Sequence, residues 1–97
     1  LSDLPTNFIL HQNYPNPFNP STTIRFSLEK QNIISLQVFD LRGRLIKTLL
    51  MGESQPGDHE IQWNGYNDLE DAVSNGVYLY SIRTENEIQS RKMILLK

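Results

Sequence analysis

The sequence contains no cysteine, so neither a disulfide nor a thiolate metal site is available and the core alone must hold the fold. That absence leaves the compartment open, because many extracellular domains of this size do without disulfides. No apolar run approaches the roughly 18 residues of a membrane span. Leu1 to Leu10 lacks both the basic start and the apolar stretch of a signal peptide. A cytoplasmic protein, a mature product or a fragment of something larger is therefore expected. A basic excess is missing too: the net charge is −2, which argues against nucleic acid, whose binding needs a cationic stripe to displace counterions. Gly-x-Ser-x-Gly, His-Glu-x-x-His and phosphate-binding glycine loops are all absent. His11 and His59 lie far apart in the chain, and His59 shares a strand face with Ile61, which makes it a core or rim histidine. Neither catalysis nor a cofactor is expected. Asn19-Pro20-Ser21 carries proline at the forbidden middle position of a sequon, so no glycan is expected there.

What is present describes one small domain. The chain has 97 residues, 38% of them apolar and 21% charged, enough for a single hydrophobic core. Three of its five prolines fall between Asn13 and Pro20, just before an alternating strand. Each proline fixes its own φ and biases Tyr14, Asn16 or Asn19 before it away from helix. The expectation is a stiff, polyproline-like arm that runs straight into a strand. At about three residues per turn, Asn13, Asn16 and Asn19 would share one side of that arm. Tyr14, Pro17 and Pro20 would share a second side, and Pro15 and Phe18 the third. Such an arm suits the edge of a sheet, and it reads as the clamp on the first edge of the fold.

Period-two alternation then dominates. Phe8 to Leu10 is a short candidate edge strand, and Ile24, Phe26 and Leu28 share one face of the next. Ile34, Leu36 and Val38 repeat the pattern, and Asp40 to Arg44 is a turn in which Gly43 can take positive φ. Leu45 to Met51 reads as a strand closed by a Gly52–Gly57 loop. His59, Ile61 and Trp63 share a face, Asn64 to Asn75 is irregular, and Tyr78, Tyr80 and Ile82 alternate after Gly76. Glu85-Asn86-Glu87 is a tight loop before a last strand expected over Ile88 to Lys97. About seven short strands and no amphipathic helix predict an all-β, immunoglobulin-like sandwich of antiparallel strands with an N-terminal proline-rich arm. A small barrel is the competitor. The expected inward set is Ile24, Phe26, Leu28, Leu36, Val38, Ile46, Leu49, Ile61, Trp63, Tyr78, Tyr80, Ile82, Met93 and Leu95. Residues 1–6 have linker composition and read as the remnant of a connection from an upstream domain, with residues 7–97 forming the sandwich.

Three stretches invite functional readings beside structural ones. The Asn64–Asp71 loop has oxygen ligands enough for calcium, but it lacks the EF-hand order, and Asn and Asp there serve equally as turn residues. Pro17-Phe18-Asn19-Pro20 has the spacing of a proline-groove ligand, or packs on its own sheet. Met93 to Leu96 is either a strand buried on both faces or a terminal edge strand that another protein reads by strand addition.

Asn13-Tyr-Pro-Asn-Pro-Phe-Asn-Pro-Ser-Thr-Thr-Ile24 resembles the opening signature of the type A C-terminal sorting domains of the type IX (Por) secretion system. The likeness continues through Val38–Arg44, Gly57–Trp63, Asn75–Tyr80 and Arg91–Lys97. A related immunoglobulin-like module occurs in flagellar hook-capping proteins. The resemblance implies a non-catalytic sorting signal at the end of a larger, Gram-negative bacterial protein, with cargo upstream on the same chain. Its partners would be an outer-membrane secretion translocon and a processing protease. The route would run through the periplasm to the outer-membrane surface or the exterior, with the cargo cleaved off and released or attached to the cell surface. Carried onto this chain, the recognised parts would be Pro15, Asn16 and Pro17 in the arm, Gly76 and Tyr78, and Lys92, Met93, Ile94, Leu95, Leu96 and Lys97. The alternatives are a carbohydrate- or protein-binding accessory module, for which an exposed aromatic row would speak, and a structural spacer.

Overall fold

The computed structural model describes residues 8–97. The linker reading of residues 1–6 lies outside the described residues. Seven strands follow in chain order: β1 (Phe8–Leu10), β2 (Thr22–Leu28), β3 (Asn32–Asp40), β4 (Leu45–Ser54), β5 (Gly57–Trp63), β6 (Gly76–Arg83) and β7 (Ile88–Leu95). They form two antiparallel sheets, one ordered β1-β2-β5 and the other β4-β3-β6-β7. This is a sandwich rather than a closed barrel.

Alternation explains the core. Burial along β2 falls on Thr22, Ile24, Phe26 and Leu28, and along β3 on Ile34, Leu36 and Val38, because successive side chains face opposite sides of a pleated strand. Trp63, Tyr78, Tyr80, Ile82, Met93 and Leu95 complete the expected interior, each worth roughly 1.5–3 kcal/mol when fully buried. His59 is opposite Phe26 in the β2–β5 register and stacks on its ring at 4.9 Å, so it is the rim histidine that alternation predicted.

Four expectations about the strands need correction. Ile46, Leu49 and Ile61 are only partly buried, whereas Phe8, Leu10, Phe18 and Ile34 are core. On β4 the cause is two register shifts opposite Leu36/Gln37 and Val38/Phe39, which interrupt strict alternation. Strand β4 also runs past Gly52 to Ser54, since Gly52, Glu53 and Ser54 stay paired with Ile34, Ile33 and Asn32. Strand β7 ends at Leu95, where its partner strand begins at Gly76, and so does not reach Lys97. Finally, Met93 and Leu95 are buried while Ile94 and Leu96 are exposed, so this stretch is covered on one face and not on both.

The arm departs most from expectation. Asn13 is buried while Asn16 and Asn19 are exposed, and Phe18 is buried while Pro15 is exposed, so the three-sided arrangement does not form. Nor does the arm run straight into β2. Tyr14 pairs back onto Thr23 and Phe18 pairs in parallel with Leu95, so the chain leaves one sheet, touches the other and returns. The Tyr14-Pro15, Asn16-Pro17 and Asn19-Pro20 bonds are cis. The expected packing along a sheet edge does occur, but the edge is that of the last strand.

Candidate functional site

The arm is a loop with a pinned base and a seated tip. At its base, Tyr14 and Thr23 exchange reciprocal backbone N–H···O=C bonds of 3.0 Å. The buried Asn13 donates from Nδ2 to the Thr22 hydroxyl (2.9 Å) and the Pro15 carbonyl (3.2 Å), and Thr22 donates in turn to the same carbonyl (2.8 Å). Tyr80, fully buried on β6, inserts its hydroxyl beneath this base. It donates to the His11 carbonyl at 2.7 Å and accepts the Asn13 N–H at 2.8 Å. Burial raises the Tyr80 phenol above its ordinary value, against the opposing pull of the Asn13 N–H and the Arg91 charge. A proline-rich segment has few N–H groups of its own, so these side chains supply the polar partners that a regular strand would find in its neighbour.

The tip lies along the outer edge of β7. Phe18 donates its N–H to the Ile94 carbonyl (2.9 Å) and accepts the Leu96 N–H (3.0 Å), as a parallel strand residue would. Asn16 accepts the Ile94 N–H at 2.9 Å, and Gln12 donates to the Lys92 carbonyl at 2.8 Å. The Phe18 ring enters the core beside Trp63, centroids 5.8 Å apart, and Trp63 meets Tyr78 edge-on at 5.6 Å. Further down the same seam, Gln89 of β7 serves β1 as a neighbouring peptide group would. It accepts the Leu10 N–H and donates to the Phe8 carbonyl, both at 3.1 Å, and Arg91 Nε donates to the Leu10 carbonyl at 2.7 Å.

The other end of β7 is tied down as well. Lys97 donates its backbone N–H to Asn75 Oδ1 (3.0 Å) and its ammonium to the Val73 carbonyl (2.6 Å). Gly76 is opposite Leu95 and Tyr78 opposite Met93, and the Tyr78 hydroxyl donates to the Ser74 carbonyl (2.6 Å). Gly76, Tyr78 and Lys92–Lys97, grouped from the sequence by resemblance alone, lie in one contiguous region. The arm residues, read there as a clamp remote from the chain end, prove to sit directly on that end. Alternation could not reveal this, because a loop residue's partner is set by tertiary closure. The signals missed were Gln89 and Arg91, which on sequence alone are ordinary polar strand residues.

Elsewhere, no buried side-chain nitrogen or oxygen among the described residues lacks a hydrogen-bond partner. In the 64–75 loop, Asn67 Oδ1 accepts the N–H groups of Leu69 and Asp71, each at 2.9 Å, the turn role weighed against calcium. No group of three or more acidic or histidine side chains that could hold a metal occurs among the described residues. Ser27 donates to Asp58 at 2.7 Å and lies 3.5 Å from His11 Nε2, so the carboxylate and not the imidazole receives its proton. That order differs from a nucleophile–base relay. The exposed tyrosines, Tyr14 and Tyr66, sit on separate loops and do not form a row along one strand.

A family model described as a secretion system C-terminal sorting domain matches residues 12–96. The chain belongs to this family. The matched span opens at Gln12 and closes at Leu96, both members of the arm–β7 seam. The sorting domain resembles, over 98% of its length, 10% of the chain of dimeric latent PorU from Porphyromonas gingivalis, with a TM-score of 0.73 and 21% identity. It is similar over 91% of its length to 11% of PorZ, an essential bacterial surface component of the type-IX secretion system of the same organism (TM-score 0.63, 21% identity). FlgD from P. aeruginosa matches over 92% of this chain and 64% of its own, with a TM-score of 0.60 and 13% identity. At these identities the structures support the immunoglobulin-like fold alone, and the sorting domain spans about a tenth of the PorU and PorZ chains. A comparison with curated proteins returned no match. The family is one of non-catalytic sorting domains, and membership implies a C-terminal sorting role in type IX secretion, directed to the outer membrane or the extracellular surface.

Proposed function

We propose that the domain sorts an upstream cargo by presenting the β7 end of the sandwich to an outer-membrane translocon. The recognised surface comprises Lys92, Ile94, Leu96 and Lys97, which are exposed, over a frame built by Met93, Leu95, Gly76 and Tyr78. The observation that carries this reading is the convergence of the chain end, the Gly76–Tyr78 segment and the arm on one edge strand. Residues 1–6 form the connection that a processing protease cuts after passage through the periplasm, and the cargo is then released or held at the cell surface. The arm residues Asn13, Pro15, Asn16, Pro17, Phe18, Asn19 and Pro20 shape this edge and are not the primary address.

The test is a periplasmic reporter fused ahead of residues 1–97 in a bacterium with a type IX system. The parent fusion should reach the medium or cell surface. Deleting the last six residues is a poor control, because it also removes the core side chains Met93 and Leu95. Alanine at Lys92, Leu96 and Lys97 together leaves the core intact and should hold the folded reporter in the periplasm. Undiminished export of that triple variant would overturn the assignment.

A further inference from the structure

The seam between arm and β7 is closed by little material. Among the tip residues Pro15 to Pro20, Phe18 alone is buried; Pro15, Asn16, Pro17, Asn19 and Pro20 are exposed. Pro15, Pro17 and Pro20 have no N–H to offer, so the tip cannot extend into a strand ladder along β7. Phe18 makes both backbone bonds, and the Asn16 and Gln12 side chains fill in for missing strand residues at Ile94 and Lys92. The base of the loop has bonds of its own, and Gln12 joins it to β7 by donating to both Asn13 Oδ1 (2.6 Å) and the Lys92 carbonyl. The Tyr14–Thr23 pair, the Asn13–Thr22 bond and the Tyr80 hydroxyl do not involve β7 at all. The tip can therefore lift while the base stays closed.

Lifting it would expose a matched set of groups. The Ile94 N–H and C=O and the Leu96 N–H would become a free strand edge, while Gln12 stays on the Lys92 carbonyl. Beside them the space left by the Phe18 ring would open against Trp63, next to Leu95. An edge with one aromatic pocket is an acceptor for an extended peptide: main-chain bonds supply attraction and the pocket supplies register.

We propose that the arm tip is a displaceable occupant of the β7 edge, standing in for a partner strand. The partner that fits is an extended segment of the secretion machinery, free of proline and carrying one large aromatic side chain. In the Phe18–Leu95 register the positions that face β7 are those of Asn16, Phe18 and Pro20. Such a segment therefore accepts the Ile94 N–H with a main-chain carbonyl in place of the Asn16 side chain, and donates an N–H where Pro20 has none. The inference rests on the reading of β7 as the recognised strand and specifies how that strand becomes available.

The probe is the synthetic heptapeptide Thr-Val-Thr-Phe-Thr-Val-Thr, titrated against the 97-residue chain, with amide exchange and the fluorescence of Trp63, the only tryptophan, as readouts. In the free protein the Phe18 and Leu96 amides should exchange about a hundredfold faster than those of Tyr80 and Ile82, with Tyr14 and Thr23 remaining slow. Phe18→Ala vacates the pocket and should bind the peptide at least about tenfold more tightly than the parent, with protection of the Ile94 and Leu96 amides. Asn16→Ala, at an exposed position, loosens the tip without emptying the core and should speed Leu96 exchange and strengthen binding in the same direction. The same peptide with alanine for phenylalanine should bind more weakly. Exchange of Phe18 and Leu96 only together with the whole domain, or no gain in peptide binding by either variant, would overturn the proposal. If those results fail while the parent reporter is exported and the Lys92/Leu96/Lys97 variant is not, the sorting reading stands and only the displaceable tip falls. Failure of the parent to be exported sinks the sorting reading whatever the peptide does.

Discussion

The hydroxyl of Tyr80 accepts the backbone N–H of Asn13 at 2.8 Å, across 67 positions of sequence. Its proton goes to the carbonyl of His11 at 2.7 Å, so one phenol serves two backbone groups at the base of the arm. Tyr80→Phe keeps the ring packed and deletes both bonds. With two backbone groups left short of a partner, about 1–3 kcal/mol of stability should be lost in urea denaturation. A variant as stable as the parent would show that water replaces the hydroxyl.

The same phenol predicts an alkaline signature. Its folded-state pKa is raised above the ordinary 10.0, burial being the main cause. The folded state therefore holds the proton more tightly than the unfolded state. Its contribution is fully present below pH 10.0 and is lost as pH rises through the raised folded value. The parent should lose stability above that pH more steeply than Tyr80→Phe, as read from denaturation midpoints across the alkaline range.

At the acid end, Asp40 behaves oppositely. The Arg44 N–H, and then the Arg44 guanidinium and the Arg42 N–H, hold its carboxyl below the ordinary 3.8 despite the opposing effect of desolvation. That contribution is present above pH 3.8 and is lost as pH falls through the lowered folded value. Asp40→Ala should flatten this part of the acid-denaturation profile while leaving the alkaline limb unchanged.

Gln89 links the two sheets through a single amide, accepting from Leu10 and donating to Phe8. Gln89→Glu keeps the acceptor and removes the donor, whereas Gln89→Ala removes both. At about 0.5–1.5 kcal/mol per bond, the alanine variant should cost more, and Leu10 amide exchange should accelerate more in it than in the glutamate variant. Equal exchange in all three proteins would mean that the Gln89 amide adds nothing to the hold on β1 that β2 and the Arg91–Leu10 bond supply.

Gly65 is buried with φ +80, where a Cβ would stand 3.5 Å from the Pro20 carbonyl oxygen and 3.6 Å from Leu95 Cδ2. Those distances are ordinary contacts, so the penalty of Gly65→Ala comes from the left-handed backbone, about 1–2 kcal/mol. A loss within that range on thermal or urea unfolding, with β7 exchange unchanged, would separate backbone strain from crowding of the arm.

Most of the sandwich was legible because its information is local. Alternation at Ile24-Phe26-Leu28 or Tyr78-Tyr80-Ile82 requires only that a strand bury one face, and the turn at Gly43 requires only positive φ, which it has at +85. The specific motif between Asn13 and Ile24 carried the family, and the match over residues 12–96 bears it out. The failures share a cause. Bulges on β4 displaced Ile46 and Leu49 from the core by slipping the pairing with β3, and the burial of Phe18 depends on a strand encoded at the other end of the chain.

By itself, then, the sequence determined which residues alternate, where the chain must turn and which family the domain belongs to, because each of these is a short-range pattern. Only the tertiary structure decided that the proline-rich arm and the last strand form one seam. Their bonds join Gln12, Asn16 and Phe18 to Lys92, Ile94 and Leu96, and the loop that connects them is closed by the whole sandwich between. No periodicity records such a pairing, since a proline-rich loop has no repeat and an edge strand carries its open hydrogen bonds on the backbone, which every residue type shares.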